Sequence, residues 1–211
     1  VFGLWVESVD TFECSNYSIG SEVQVLGDSI SIRLLEIQKP DTCLGKPGRA
    51  SAFLPVGTLS NGLYAFSLSL NDAIVNAGTI HIENGHYELS LQNPQGVDFQ
   101  NRSLESIPDG FVWGYAAVEA ESDLPLTDPF FKDLKSISAE ANLAAGYYGY
   151  FTVSGTGQFF LHRSIVPQGP HHSFLRRVNG SADPLRGLLQ QFRNEPGQMV
   201  RVKCYSTFGE L

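Results

Sequence analysis

The chain has 211 residues, 42% of them hydrophobic and 17% charged, a balance that excludes a disordered polymer and is long enough for one large β domain or two small ones. No apolar run approaches the roughly 20 residues a membrane-spanning helix needs. The formal net charge of −8, with no recognition motif, gives no basis for nucleic-acid binding.

Opening on Val1-Phe2-Gly3-Leu4-Trp5 with no initiator Met, the chain reads as processed or truncated. Short alternating strands are predicted near 3–9, 21–26, 29–37, 50–56, 62–70, 73–83, 86–92 and 111–118, with Gly, Pro, Asn and Asp between them. Leu34-Leu35 interrupts the alternation set by Ile30 and Ile32, as an inserted bulge does. Leu63 to Leu70 puts Tyr64, Phe66, Leu68 and Leu70 on one side of a half-buried strand. Asn84-Gly85 between two alternating runs signals a two-residue hairpin loop. Trp5 and Trp113 are expected in the core. Cys14 and Cys43 lie in turn-rich surroundings where two loops can meet, and a disulfide between them is expected; Cys204, in phase with Val200 and Val202, reads as a buried thiol. Asn16, Asn101 and Asn179 each begin an N-x-Ser sequon.

Eight short strands in this span match the count of a two-sheet sandwich. The run Thr58-Leu59-Ser60-Asn61-Gly62-Leu63-Tyr64 resembles the "leucine, turn, glycine, x, tyrosine" strand entry of immunoglobulin-like and fibronectin-like extracellular modules. The wider pattern is similar to ectodomains of bacterial envelope lipoproteins. There is no Cys-Trp-Cys spacing of the antibody kind. The resemblance implies an extracellular β-sandwich module and supplies no catalytic residues.

The acidic stretch 119–127, with Pro125 inside it and Pro129 just beyond, reads as a linker, dividing the chain into a β-sandwich of residues 1–118 and a small α+β domain of residues 128–211. Up to Val118 there are 13 acidic against 5 basic residues; from Arg163 to Lys203 the balance reverses to 7 basic against 2 acidic. In the second domain Asp128-Pro129 starts a short helix, 147–153 and 158–162 form a hairpin around Gly155-Thr156-Gly157, 173–178 is a strand, and 199–205 a final strand. Asp183-Pro184, followed by Leu185, Leu188, Leu189 and Phe192 at helical spacing, predicts the amphipathic helix of this domain. The predicted fold class is therefore mainly β, an immunoglobulin-like antiparallel sandwich followed by an α+β domain with one amphipathic helix.

No phosphate loop, dinucleotide loop, H-E-x-x-H, C-x-x-C or G-x-S-x-G is present, so no catalytic residues and no cofactor are assigned. The hairpin at Asn84-Gly85 would place Glu83 opposite His86 and His81 opposite Glu88 on one wet face: cross-strand ion pairs, or a Zn²⁺ site. His162, His171 and His172 form a second group, in the half that holds Cys204. Within Gly146-Tyr147-Tyr148-Gly149-Tyr150-Phe151 a strand would put Tyr148 and Tyr150 on one side, as a candidate ligand-binding pair. The expectation is a non-enzymatic binding, adhesion or envelope-assembly protein of the extracytoplasmic space, secreted, periplasmic or at the cell surface, with a protein or glycan as partner. A carbohydrate-binding accessory protein using exposed tyrosines, or a metal-dependent or thiol hydrolase, are the alternatives.

Overall fold

Residues 2–192 and 197–208 are described by a computed structural model. Fifteen strands outweigh two α-helices among these residues, so the protein is mainly β. The chain divides into two units, Val1–Ser103 and Leu104–Leu211.

The first unit is built on β1 (Phe2–Phe12), β2 (Ser18–Leu26), β3 (Ser29–Gln38), β4 (Gly48–Gly57), β5 (Gly62–Leu70), β6 (Ile74–Glu83) and β7 (His86–Leu91), and the short β8 (Ser103–Glu105) begins at its last residue. All eight join one curled sheet in the order β1-β4-β2-β3-β5-β6-β7-β8. Most pairs are antiparallel, but β3 runs parallel to β5 over six residue pairs, and Ser18 of β2 meets Ser51 of β4 in parallel. A sheet apolar on one face must cover that face, and this one does so by curling on itself. Ile30 and Ile32, Leu54, Phe66 and Leu68, and Ile80 and Ile82 fill its interior. Phe2 of β1 stacks on Tyr87 of β7 at 5.0 Å, although five strands separate β1 from β7 in the sheet.

Local chemistry explains the register. Ile19 pairs with Ile37 and Ser21 with Leu34, so two steps on β2 answer three on β3, and the extra residue is the bulge predicted at Leu34-Leu35. Asn84 and Gly85 both take positive φ, 52° and 84°, the backbone of a two-residue hairpin turn that matches strand twist. The buried Asn76 pins the segment after β7: its amide donates to the Gln95 carbonyl at 3.0 Å and accepts from the Gln95 N–H at 2.6 Å. Cys14 and Cys43 form a disulfide, joining the β1–β2 turn to the β3–β4 loop. Asn16 ties the same two loops, donating to the Thr42 carbonyl at 2.8 Å and accepting from the Leu44 N–H at 3.2 Å. Its amide is thereby committed within the fold, unlike the exposed Asn101 and Asn179.

The second unit departs from the predicted boundary. β9 (Phe111–Ala117) is not the last strand of the first domain; it lies inside a four-stranded antiparallel sheet completed by β10 (Ser138–Glu140), β14 (His171–Val178) and β15 (Arg201–Ser206), in the order β10-β14-β9-β15. The segment 119–127 is not a linker. Glu121–Thr127 forms a 3₁₀ helix that runs into α1 (Asp128–Ser136), and Pro129 occupies the first turn of α1, where its missing N–H costs nothing. One core crosses the segment, joining Val112, Ala116 and Val118 to Phe130 and Leu134 of α1 and to Leu185 and Leu188 of α2 (Asp183–Gln191), with Leu124 packed against it. The amphipathic helix expected after Ser181 is thus present, with Leu189 and Phe192 also on this core. The predicted stop at Pro196 lies outside the described residues.

The other face of the sheet meets a small three-stranded sheet of β11 (Gly146–Tyr147), β12 (Phe151–Val153) and β13 (Phe159–Leu161). Trp113, Leu175 and Tyr205 pack there with Tyr148, Phe151 and Val153. The turn around Gly155-Thr156-Gly157 forms the β12–β13 hairpin as predicted, with the Ser154 N–H bonded to the Gln158 carbonyl.

Candidate ligand-binding surfaces

The hairpin quartet has the predicted register, Glu83 opposite His86 and His81 opposite Glu88. His81, Glu83 and Glu88 are exposed and His86 is half-buried, while Ile80, Ile82 and Leu89 point inward. Among the described residues no group of three or more His, Cys, Asp and Glu is placed to hold a metal ion.

The second histidine group is dispersed. His171 and His172 are consecutive on β14 and so face opposite sides of the sheet. The Nδ1 of His172 lies 3.1 Å from the hydroxyl of the fully buried Thr127, and its ring is edge-on to Phe131 on the helical side. His171 Nδ1 is 3.0 Å from the Gly169 carbonyl, and its ring sits against Tyr115 on the opposite side. His162 pairs with Ser164 Oγ at 2.8 Å and packs on Tyr147. Cys204 is unpaired, and burial pushes its thiol up to about 12. A thiol held neutral in this way is not the activated nucleophile that a thiol hydrolase requires. Iodoacetamide at neutral pH is accordingly expected to label Cys204 only after unfolding; labelling of the folded protein at the rate of a free thiol would contradict the burial.

Tyr148 and Tyr150 do not share a strand face. The chain reverses between β11 and β12, with Gly149 at φ 80° in the turn, and the Tyr148 N–H bonds to the Phe151 carbonyl. Tyr148 is 5% exposed, stacked on Phe151 at 5.0 Å with its hydroxyl on the Ala144 carbonyl at 2.9 Å. It is a core residue, which corrects its assignment to a ligand-binding pair. Tyr150 remains 48% exposed, its ring 5.3 Å from Trp113 and 6.0 Å from Tyr205.

Two surfaces escaped the sequence reading. On the first unit Trp5 is 63% exposed and directly opposite Phe53, which is 54% exposed. Trp5 is therefore not a core residue; Leu4 and Val6 turn inward on either side and leave it on the outer face. The tip of the Phe53 ring lies against Gly3, where an added Cβ would come 2.5 Å from it, so glycine leaves the ring room beside β1. The Trp5 indole N–H donates to Glu7 Oε1 at 3.2 Å, and Arg49 stands 3.6 Å from the other Glu7 oxygen. The result is a pair of exposed rings on a sheet face with a polar rim.

On the second unit, strand register puts Tyr115 and Ala117 of β9 beside Lys203 and Arg201 of β15 on one side, and beside Ser173 and His171 of β14 on the other. All share the sheet face whose other half carries the three-stranded sheet. A groove of about 490 Å³ opens there, with Pro167 and Gln168 contributing to its lining. Lys203 Nζ lies 5.5 Å above the Tyr205 ring.

No family model, curated protein or solved structure matches this chain.

Proposed function

We propose that this chain is a non-enzymatic binding protein of the extracytoplasmic space, its first unit an immunoglobulin-like module, and that it takes a glycan at the cell surface on the Trp5–Phe53 face. The observation that carries the reading is the exposed cross-strand ring pair. Two large aromatic side chains that would gain by burial are instead presented side by side, with a carboxylate and a guanidinium within reach of a sugar's hydroxyls. The Cys14–Cys43 disulfide supports an oxidising compartment. A protein partner is the second reading, favoured by β1, an eleven-residue strand at the edge of its sheet whose Val9 is strongly exposed.

Binding of the whole chain to an array of neutral glycans tests the proposal. Trp5→Ala should weaken glycan binding by about tenfold or more while leaving thermal stability nearly unchanged, because the lost side chain is mostly in water. Glycan binding that survives Trp5→Ala in full, or no glycan binding by the parent chain, would leave only the protein-partner reading.

A further inference from the structure

We infer that the groove on the four-stranded sheet of the second unit is a separate site for a small acidic sugar, one carrying a carboxylate on a pyranose ring. This does not rest on the Trp5–Phe53 reading, since the two surfaces belong to different units. Arg201 and Lys203 are two residues apart on β15, so both side chains leave the same face about 7 Å apart along the strand. Neither has a carboxylate within 4 Å among the described residues, a state they share with Arg102 and Arg177 but here at the rim of a groove.

The neighbours make this more than a charged strand. Ala117, between Arg201 and His171, fills little space and leaves depth over the sheet, while Tyr115, between Lys203 and Ser173, offers an aromatic ring beside it. His171 donates its Nδ1 proton to the Gly169 carbonyl, which leaves Nε2 as the ring nitrogen for a ligand. The planar fork of Arg201 matches a carboxylate in two parallel hydrogen bonds, Lys203 adds a second positive charge, and Gln168 brings an amide able to donate and to accept. The groove's volume of about 490 Å³ lies within the range of small-ligand sites, about 300–1,000 Å³. Charge elsewhere selects against long polyanions. Residues 1–103 carry 11 acidic against 5 basic side chains and residues 104–211 carry 11 against 9, so the chain as a whole repels an extended acidic polymer while this groove attracts a short acidic sugar.

Titration calorimetry on the whole chain, with a galacturonic acid trimer, its methyl ester and a hexaglutamate peptide as probes, tests the inference. The trimer should bind, the uncharged ester should bind at least about tenfold more weakly, and Arg201→Gln with Lys203→Gln should weaken trimer binding by a similar factor. Both replaced side chains are exposed, so the double variant is expected to keep the parent's circular dichroism and melting temperature. Tyr115→Leu should weaken trimer and ester alike by removing the ring surface. The inference fails if the trimer does not bind, if acid and ester bind equally, if the folded double variant binds as the parent does, or if hexaglutamate binds as tightly as the trimer, which would make the groove an acidic-peptide site.

Discussion

Phe130→Ala is expected to cost about 3–5 kcal/mol of stability, a large share of the roughly 5–15 kcal/mol that a folded domain has to lose. Phe130 is fully buried, and its ring meets Phe131 at 5.3 Å, Phe174 at 5.5 Å and Phe192 at 5.3 Å. It therefore joins α1 to β14 and to the end of α2, and an alanine there leaves a cavity that three rings can close only by leaving their packed positions. The location of the loss is as informative as its size. Because the core beneath α1 also holds Val112, Ala116 and Val118, hydrogen exchange should accelerate across β9 and β14 and stay slow in β3, β5 and β6. Equal acceleration in both sets would mean that the two cores unfold as one; acceleration that spared β9 would return that strand to the first unit. Urea unfolding measures the total.

The second large effect is expected from Cys14→Ala with Cys43→Ala. The disulfide closes a loop with a sequence separation of 29, and releasing it should lower stability by about 3–4 kcal/mol, chiefly by freeing the unfolded chain. The Asn16 bonds to Thr42 and Leu44 hold the same two loops by weaker means, so the altered chain should still reach the native fold at low temperature. Melting followed by circular dichroism, with and without reductant, checks both parts. An unchanged midpoint in the double variant would show that the bridge constrains nothing the fold does not already constrain.

The strands β5, β6 and β7 could be read because each has one wet face: period-two alternation gave their sidedness, and Asn84-Gly85 gave the register of Glu83 against His86. β9 could not be placed in the same way. Phe-Val-Trp-Gly-Tyr-Ala-Ala is apolar on both sides because helices cover one face and a small sheet part of the other, and a strand without a wet face carries no mark of its neighbours. Pro129 reads as part of a linker because a helix start and a linker use the same residue, while Pro125 lies inside the 3₁₀ helix.

Among the candidate surfaces, the outward direction of Trp5 is legible in the strand's alternation. The inward turn of Leu4 and Val6 was visible in the alternation, and residue type prevailed over phase. Tyr148 and Tyr150 were separated by Gly149, whose positive φ makes a turn within a run of rings that otherwise reads as strand. The outward direction of Arg201 and Lys203 followed from Val200, Val202 and Cys204. What no local pattern revealed was the company they keep, since Tyr115 and Ala117 arrive from a distant strand.

The strand order at one edge of the large sheet bears on how the first unit is made. β1 and β2 are consecutive in the chain yet do not pair; β4, synthesised later, lies between them, antiparallel to β1 and touching β2 through Ser18 and Ser51. A chain emerging from its N-terminus therefore cannot complete this edge as a growing meander, and β1 must wait with its ladder groups unpaired until Gly57 has been made. During that interval Trp5 and Val9 belong to an open strand with no partner, the state in which a chain most readily pairs with a copy of itself. Oxidation of Cys14 with Cys43 shortens the interval, because it brings the segment just ahead of β4 to the turn that follows β1 while β4 still has to find its place. In an exported protein the bridge would thus act before the fold is complete, as a guide to strand insertion, and the compartment that supplies the oxidant would also set how long the edge stays open.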